Sequence, residues 1–456
     1  MKVIIFGTGK LYEASKYKFK NLDIVAFVDN NPDKQGTYID GIKVISPSLI
    51  QEYHYKYILI VSQYYREMRS QLENMGIPKE CILDREYRGA FSGIRNIEMY
   101  KRKSFQISKP QILLVSHDLS FTGAPIVLYN MASILLECGY SVTVYSGKMG
   151  GLLYDFIEKG ISVTVFEDFN FDREEIQFYF SKFDLIIANT VTLYRLVTDL
   201  KCLQIPIVWW IHEEDNIYEE LNIKHSDLVI SDYVFPYGVS DRAIWSFCNY
   251  SGRQIIDKLA YGISDKSNFC NTSKKVNKKA IFAIIGTVDR RKAQDVFVEA
   301  VRENWEKWEK NAEFWIIGSI SEKLRKQYEK LKALKILGEM DHEELMGIYP
   351  EIDIVVCPSR NDPLPVVLAE GMMNKKVCIA SDMTGTAEYV KPYENGLLCK
   401  AGNVESLADS IQWVIDHRED WEDIGEKAYL VYKNVFSIDQ FKKNVLQIIE
   451  TYLKRR

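Results

Sequence analysis

Residues 357–372 read CPSRNDPLPVVLAEGM, a segment in which a strand ends at Cys357, a loop follows and a helix opens at about Pro365. Proline suits a first helical turn because its missing N–H has no intrahelical partner there. The remaining N–H groups and the dipole of that turn favour an anion. The segment therefore predicts a strand–loop–helix unit of an open α/β sheet, with an anion site at the carboxyl end of the strand.

The same alternation of strand and helix extends towards both ends of the chain. Short apolar runs alternate with helix-length polar stretches, which is the pattern of strands buried on both faces of a parallel sheet. We expect a small Rossmann-like α/β domain at 1–85, a basic linker at 86–110, and doubly wound domains at 111–264 and 280–436. One of the expected strands is Asp227–Ile230. Two doubly wound domains of similar size predict a cleft between them.

Composition excludes several classes of protein. A chain of 456 residues is too long for one hydrophobic core, and 47% hydrophobic with 27% charged residues is ordinary for a globular protein. The net charge of −5 gives no reason to expect nucleic acid as a partner. The cysteines have no metal or redox spacing, and neither a signal peptide nor an apolar run of bilayer length is seen. We therefore expect a cytoplasmic protein.

Two carboxylates stand eight residues apart in the segment 357–372. Asp362 precedes the helix and Glu370 lies within it, so the pair could grip hydroxyls at two ends of one sugar-containing ligand. The alternative is that Asp362 only caps the helix and Glu370 lies on the surface.

This segment resembles the E-x7-E signature of retaining family-4 glycosyltransferases. Asp362 replaces the commoner Glu, and Gly371 replaces the usual Ala. The resemblance implies the GT-B fold, in which two Rossmann-like domains with doubly wound parallel sheets face a cleft and the C-terminal helix, here 437–456, returns to the first of them. It also implies that Glu370 holds the ribose of a nucleotide and that Asp362 faces the donor sugar. The remaining residues expected around the donor are Gly286, Pro363, Leu364, Pro365 and Val366.

A second loop, residues 284–295, has a glycine turn at Gly286 followed by adjacent cations. Arg291 offers a planar fork to phosphate oxygens and Lys292 a point charge, so the pair suits a diphosphate leaving group. Solvated loop cations are the alternative. The loop is similar to the family's G-R-L-x-x-x-K-G loop, with Thr287 and Ala293 where Arg and Gly are common. The resemblance implies that Arg291 and Lys292 stabilise the leaving group without a metal.

A third candidate follows the apolar strand at 206–211, which delivers His212 and two acids to its carboxyl end. The resemblance is to the family's H-E pair, and it implies that His212 lies near the donor sugar as a hydrogen-bond partner. A structural histidine is the alternative, and His-Glu-Glu is too short for a zinc motif.

An acceptor and phosphate loop is expected after the first strand of the domain at 111–264. Thr122, Gly123 and Ala124 open a helix there, and glycine lets the backbone approach a ligand closely. Asn189 follows another strand and is expected on the same acceptor side.

The N-terminal domain carries part of a dinucleotide fingerprint. Gly7 and Gly9 follow a strand, and Asp29 ends the next strand where a ribose-binding acid would sit, but Tyr12 replaces the third glycine. The segment resembles the nucleotide-sugar-binding N-terminal domain of bacterial sugar acetyltransferases. Nucleotide binding and a scaffolding or oligomerising role are both open at this point.

The resemblance implies transfer of a sugar from a nucleoside diphosphate sugar, with UDP as the expected nucleotide, and with retained configuration. The expected acceptor is a cell-surface glycan or its precursor, presented as a glycan, a lipid-linked sugar or a protein, and no cofactor or metal is expected. The run Lys101–Lys103 is a solvated face or a contact with the inner face of the membrane. A homo-oligomer or a partner subunit is a further expectation. The alternatives are an inactive nucleotide-sugar-binding partner of another glycosyltransferase and an epimerase of the same two-domain shape.

Overall fold

The computed structural model describes residues 2–9, 12–13, 16, 23–62, 64–78, 81–83, 110–165, 179–228, 231–253, 256–267 and 279–454. The predicted linker, including Lys101–Lys103, lies outside these residues. Residues 110–117, 122–142 and 179–454 belong to one compact unit, and the N-terminal sheet belongs to a second one with residues 118–121 and 143–165.

The N-terminal sheet is built around the first strand. Its order is β3-β4-β2-β1-β5-β6, and it is parallel except for the β3–β4 pair. The strands are β1 (Lys2–Phe6), β2 (Asp23–Val28), β3 (Tyr38–Ile39), β4 (Ile42–Ile45), β5 (Tyr57–Ile60) and β6 (Ile82–Leu83). Successive side chains of β1 enter different cores: Ile4 and Phe6 belong to one apolar cluster, Val3 and Ile5 to another. This is why the strand is apolar at every position instead of alternating.

The middle sheet has seven strands in the order β13-β12-β11-β10-β7-β8-β9. They are β7 (Gln111–Ser116), β8 (Ser141–Ser146), β9 (Ser162–Val165), β10 (Leu185–Asn189), β11 (Ile207–Ile211), β12 (Val234–Gly238) and β13 (Asp257–Lys258). Strand order reverses between β7 and β10, which places a topological switch point there.

The third sheet has the order β16-β15-β14-β17-β18-β19, and its pairs run parallel. The strands are β14 (Ala280–Ile285), β15 (Ala312–Ile317), β16 (Leu334–Gly338), β17 (Ile354–Cys357), β18 (Val377–Ser381) and β19 (Leu397–Cys399). The switch point of this sheet lies between β14 and β17. A ligand-binding site is therefore expected at the loops that follow these two strands.

Helices connect the strands. They are α1 (Tyr65–Asn74), α2 (Gly123–Glu137), α3 (Leu152–Glu158), α4 (Tyr194–Leu200), α5 (Asp215–Glu220), α6 (Asp241–Ser251), α7 (Gln294–Trp308), α8 (Glu322–Tyr328), α9 (His342–Ile348), α10 (Val366–Met373), α11 (Val404–Asp416), α12 (Trp421–Val431) and α13 (Ile438–Leu453). Short 3-10 helices occupy Pro32–Lys34, Pro47–Glu52, Val191–Leu193, Lys201–Leu203, His225–Leu228, Gly385–Tyr389 and Arg418–Asp420, and a π-helical turn occupies Tyr432–Phe436.

The C-terminal helix α13 packs on the middle sheet. Phe441 stacks on Trp210 of β11 with ring centroids 5.5 Å apart. Near the end of the helix, the hydroxyl of Tyr452 lies 3.1 Å from that of Tyr237 in β12. The last helix of the chain therefore covers a sheet that is formed more than 200 residues earlier.

The structure confirms the fold class and corrects one strand. Residues His225–Leu228 form a 3-10 helix, positions 229 and 230 lie outside the described residues, and the strand that the structure describes in this region is Val234–Gly238. The apolar run that suggested a strand at Asp227–Ile230 is too short to separate a buried turn from a strand.

Helix α10 approaches its sheet closely at Gly371. A Cβ atom built there would lie 2.9 Å from the Cys378 sulfur and 3.0 Å from a methyl carbon of Val355. Any side chain at this position would push the helix off β17 and β18 unless its neighbours changed.

Candidate functional site

The loops after β14 and β17 meet at the switch point of the third sheet. Gly286 follows β14 and has a φ of 134°, a conformation that favours glycine. Ala293 precedes α7 with a φ of 59°, in the left-handed region. The backbone therefore takes the conformation that glycine favours, although this sequence has alanine there.

An acidic side chain and two cations form an ion cluster between these loops. Asp362 Oδ2 accepts hydrogen bonds from Lys292 Nζ at 2.6 Å and from Arg291 Nη1 at 3.1 Å. Burial alone would lower the pKa of Lys292, but the charge of Asp362 outweighs it and the net pKa is raised. The cluster carries one net positive charge because two cations share one carboxylate.

Arg360 ties the two loops together. Its Nη1 and Nη2 atoms donate to the two carboxylate oxygens of Asp295, at 2.8 Å and 2.7 Å. Nη1 also donates to the Arg290 carbonyl, and the Arg360 N–H donates to the Arg291 carbonyl, both at 2.8 Å. The bidentate pair fixes the loop that carries Arg291 against the loop that carries Asp362.

Helix α10 begins beside the ion cluster. Pro365 is its N-cap with extended backbone and Val366 is its first residue, so the helix begins one residue later than expected. Its first N–H groups have no intrahelical acceptor, and with the helix dipole they add to the positive potential.

The residues between Asp362 and α10 are held by backbone contacts. The Leu364 carbonyl accepts a 2.8 Å hydrogen bond from the buried Tyr261 hydroxyl. The Pro363 carbonyl fills the space that a side chain at position 385 would need, so Gly385 allows the close approach. Pro363 and Leu364 are thus held in place between Asp362 and α10.

Glu370 lies inside the protein and not on its surface. It is 5% exposed, and its Oε1 lies 2.9 Å from His342 Nε2. Its Oε2 accepts a 3.3 Å hydrogen bond from the Tyr349 hydroxyl. Burial, reinforced by the neighbouring Glu370 charge, raises the pKa of Tyr349, so its hydroxyl stays protonated and remains a donor.

His212 and Glu213 follow β11 in the middle sheet. Burial and the nearby His117 lower the pKa of His212 to about 3, so the ring is neutral at physiological pH. Burial raises the pKa of Glu213 to about 7, although its Oε2 accepts hydrogen bonds from the N–H groups of Val191 and His212 at 2.8 Å and 3.0 Å.

Glu214 and Arg242 connect the middle sheet to the third sheet. Arg242 Nη2 lies 2.7 Å from Glu214 Oε2, and Arg242 Nη1 lies 3.2 Å from the sulfur of Met383, which follows β18. Burial raises the pKa of Glu214, and the repulsion of Asp362 adds to this despite the opposing effect of Arg242. The residues that follow β11 thus lie within electrostatic reach of the ion cluster.

Glu388, which follows β18 of the third sheet, forms a second contact with the part of the chain that contains the middle sheet. One of its carboxylate oxygens accepts a 2.7 Å hydrogen bond from the Asp241 N–H at the start of α6, and the other lies 2.8 Å from Lys258 Nζ.

The expected acceptor loop lies at the switch point of the middle sheet. Thr122 is the N-cap of α2 and Gly123 is its first residue. The Ala124 carbonyl accepts a 2.9 Å hydrogen bond from the side-chain amide of Asn189, at the end of β10. The structure therefore brings Ala124 and Asn189 together.

In the N-terminal domain, Asp29 is already bound to its neighbours. Its Oδ2 accepts a 3.0 Å hydrogen bond from the Thr8 N–H and lies 3.3 Å from Lys34 Nζ, and its Oδ1 accepts from the Asn31 N–H at 2.9 Å. Burial would raise the pKa of Asp29, but these hydrogen bonds outweigh it and lower the pKa. Gly7 is required, because its φ is 104° and a Cβ there would approach the Val61 carbonyl oxygen to 2.7 Å. Gly9 has open space around it.

Metal-binding clusters and membrane-spanning helices are absent from the described residues. No group of three histidine, cysteine or carboxylate side chains among them could hold a metal ion. In the same part of the chain, no helix combines the length and the apolar character that a bilayer crossing requires.

Sequence reasoning missed four residues of this region: His342, Tyr349, Arg360 and Arg242. Arg360 lies inside the motif segment 357–372, and its place in the loop before α10 was the available signal. The other three come from distant parts of the chain, and nothing in their local pattern marks them.

Comparison with known proteins matches each part of the chain to a family. Residues 265–431 match the family described as glycosyl transferases group 1, residues 108–237 match glycosyl-transferase family 4, and residues 1–83 match the family described as C2185-like, N-terminal. An uncharacterised glycosyltransferase of Methanocaldococcus jannaschii is 25% identical over 242 residues, covering 50% of this chain and 63% of that protein. The alpha-D-kanosaminyltransferase of Streptomyces kanamyceticus is 23% identical over 189 residues, which cover 38% of this chain and 48% of that protein. The chain therefore spans roughly half to two thirds of the length of these two relatives.

Solved structures show the same fold. The Anabaena protein HepE in complex with UDP superposes with a TM-score of 0.65 at 17% identity, over 75% of this chain and 100% of that one. Sucrose-phosphate synthase from Thermosynechococcus elongatus superposes with a TM-score of 0.61 at 17% identity, over 76% and 100%. Residues 108–237 and 265–431, which match the models of glycosyl-transferase family 4 and glycosyl transferases group 1, therefore lie in a chain with the GT-B fold.

Proposed function

We propose that the protein transfers a sugar from a UDP-sugar to a hydroxyl group of a glycan acceptor, with retained anomeric configuration and without a metal. The observation that carries this proposal is the ion cluster, which has one net positive charge beside the N-terminus of α10. A diphosphate leaving group gains negative charge as its bond to the sugar breaks. Fixed cations and N–H groups stabilise that charge without reorganising.

The choice of donor is supported by the relatives. HepE has been crystallised with UDP and with UDP-glucose, and the Streptomyces protein is named for the transfer of an amino sugar. In this chain Glu370 would accept hydrogen bonds from the ribose, and Lys292 and Arg291 would face the diphosphate.

The proposed role of His212 follows from its neutral ring. A histidine with a pKa of about 3 is a poor base at neutral pH, so His212 would donate or accept a hydrogen bond to the donor sugar. The departing phosphate oxygen would then take the proton of the acceptor hydroxyl. Both the bond to the leaving group and the new glycosidic bond lie on the same face of the sugar, which retains its configuration.

The acceptor would bind along Thr122, Gly123, Ala124 and Asn189, and we propose a glycan or glycan precursor at the cytoplasmic face of the membrane. For the N-terminal domain we propose a scaffolding role, because the hydrogen bonds to Asp29 satisfy the carboxylate that would otherwise hold a ribose.

The test is a mass-spectrometric and NMR assay of the full chain with UDP-glucose, UDP-galactose and UDP-N-acetylglucosamine in the presence of EDTA. Transfer or hydrolysis that releases UDP and an α-configured product supports the proposal. A β-configured product, or a requirement for magnesium, contradicts retention or metal independence respectively. Epimerised UDP-sugar would identify an epimerase, and binding without turnover of any donor would identify an inactive partner subunit.

A further inference from the structure

Two side chains at opposite ends of helix α9 hold the two oxygens of Glu370. His342 is the first residue of α9 and lies 2.9 Å from Oε1, and its side chain is 49% exposed. Tyr349 directly follows α9 and is fully buried, and its hydroxyl lies 3.3 Å from Oε2 and 3.4 Å from the Val367 carbonyl. Its one proton favours the carboxylate, because a charged acceptor forms the stronger hydrogen bond. A buried carboxylate needs such donors, because an ionised group without partners is costly inside a protein.

The contacts of His342 determine its tautomer. Its Nδ1 atom faces Lys266 Nζ at 3.3 Å. An ammonium group only donates hydrogen bonds, so Nδ1 accepts, and the ring proton is on Nε2. Nε2–H therefore donates to Glu370 Oε1, as the Tyr349 hydroxyl does to Oε2.

The number of acceptor positions left on Glu370 decides how many hydroxyl groups of a ligand it can bind. An ionised carboxylate has about four lone-pair sites, two on each oxygen. One donor on each oxygen leaves one site on each. Two such sites, fixed in one plane, match a pair of hydroxyl groups on adjacent carbon atoms.

We propose that His342 and Tyr349 are positioning residues that orient Glu370 to bind the 2′- and 3′-hydroxyls of a ribonucleoside diphosphate together. The site then selects against 2′-deoxyribonucleotides, because a deoxyribose leaves one oriented acceptor of a buried carboxylate without a donor. This inference rests on the proposed UDP-sugar donor.

The experiment is a comparison of UDP with 2′-deoxy-UDP by isothermal titration calorimetry on the full chain. We expect wild-type protein to prefer UDP by at least about tenfold, from one hydrogen bond to a charged group. His342→Ala should reduce that ratio to about threefold or less by letting the carboxylate rotate, and Tyr349→Phe should act in the same direction. His342→Gln, whose side-chain amide can still donate to Oε1, should restore most of the preference. Glu343→Ala changes the next residue on the exposed face of α9 and should match wild type.

The outcomes separate the two proposals. Failure of wild-type protein to bind UDP overturns the proposed donor and this inference with it. Binding of UDP and 2′-deoxy-UDP with equal affinity by wild-type protein overturns only the inference. A UDP preference that persists in both His342→Ala and Tyr349→Phe, with unchanged melting temperatures, shows that neither residue positions Glu370.

Discussion

The Lys292 Nζ atom lies 2.6 Å from Asp362 Oδ2, although the two residues are 70 positions apart in the chain. The carboxylate holds the ammonium group at the mouth of the loop, and Arg291 shares the same oxygen. The ion pair thus restricts the lysine side chain, and in the proposed mechanism its charge would already be in position for the diphosphate.

Replacing Lys292 should reduce turnover much more than stability. For Lys292→Ala we expect a loss of about 10²-fold in kcat with UDP-sugar, the usual effect of removing one group that stabilises transition-state charge. Lys292→Arg should retain part of the activity. Lys330→Ala, a change at an exposed lysine of the same domain, is the matched control. Equal kcat values for the two alanine variants would remove Lys292 from the proposed mechanism.

The bidentate pair between Arg360 and Asp295 should matter for donor binding more than for folding. Both side chains are partly exposed, so we expect Arg360→Lys to cost no more than about 1 kcal/mol of unfolding free energy in urea titrations. Lysine has no planar fork, and the two loops should lose their fixed separation. The expected result is a KM for the donor raised about threefold to tenfold by this loss. A KM that stays within experimental error while stability falls would show that the pair is only structural.

Burial of Glu213 predicts a pH-dependent stability. Its pKa is about 7 in the folded protein against 4.5 ordinarily, so the unfolded chain loses the proton first as pH rises. The contribution of Glu213 to the free energy of unfolding is therefore full below pH 4.5. It falls between about pH 4.5 and 7 and stays low above that.

Glu213→Gln should remove this loss, because the amide oxygen can still accept from the two N–H groups. Between pH 5 and 8 the free energy of unfolding of the variant should rise relative to that of wild type, by on the order of 2 to 3 kcal/mol. Denaturant titrations at several pH values measure the difference, and the titration of His212 cancels because both proteins contain it. A difference that is constant over this range would mean that Glu213 is ionised throughout.

Loss of the Glu370 carboxylate should weaken donor binding and leave the fold intact. We expect Glu370→Gln to weaken UDP binding by at least about tenfold in calorimetry, because the amide offers one acceptor atom instead of two. The glutamine variant is preferred to alanine, since it leaves Tyr349 and His342 with polar partners. Unchanged UDP affinity would place the ribose elsewhere.

The sequence predicts the fold class well, because apolar runs buried on both faces leave little choice other than parallel sheets. The family resemblance implies that Asp362, Arg291 and Lys292 lie around one donor, and the structure brings them together because the carboxyl ends of β14 and β17 are neighbours. Only the structure reveals that the acid holds both cations, because side-chain directions in loops are not encoded in residue spacing.

The environment of Glu370 lies further beyond sequence reasoning. The choice between a surface glutamate and a ligand-holding one depends on His342 and Tyr349, which precede it by 28 and 21 positions. The sequence around α9 has the pattern of an ordinary capped helix, and Asp341 and Glu344 do form a capping box there. A helix start explains the local pattern fully, so the additional role of the histidine leaves no trace in it.

The close packing of Gly371 against Cys378 and Val355 bears on how this chain diverged from its relatives. Where alanine occupies the position equivalent to 371, the added methyl group needs the room that the thiol fills here. Gly371 and Cys378 therefore fit each other as a pair, and a change at one position should be tolerated better when the other changes with it. A packing constraint thus accounts for the glycine in the signature without any reference to activity.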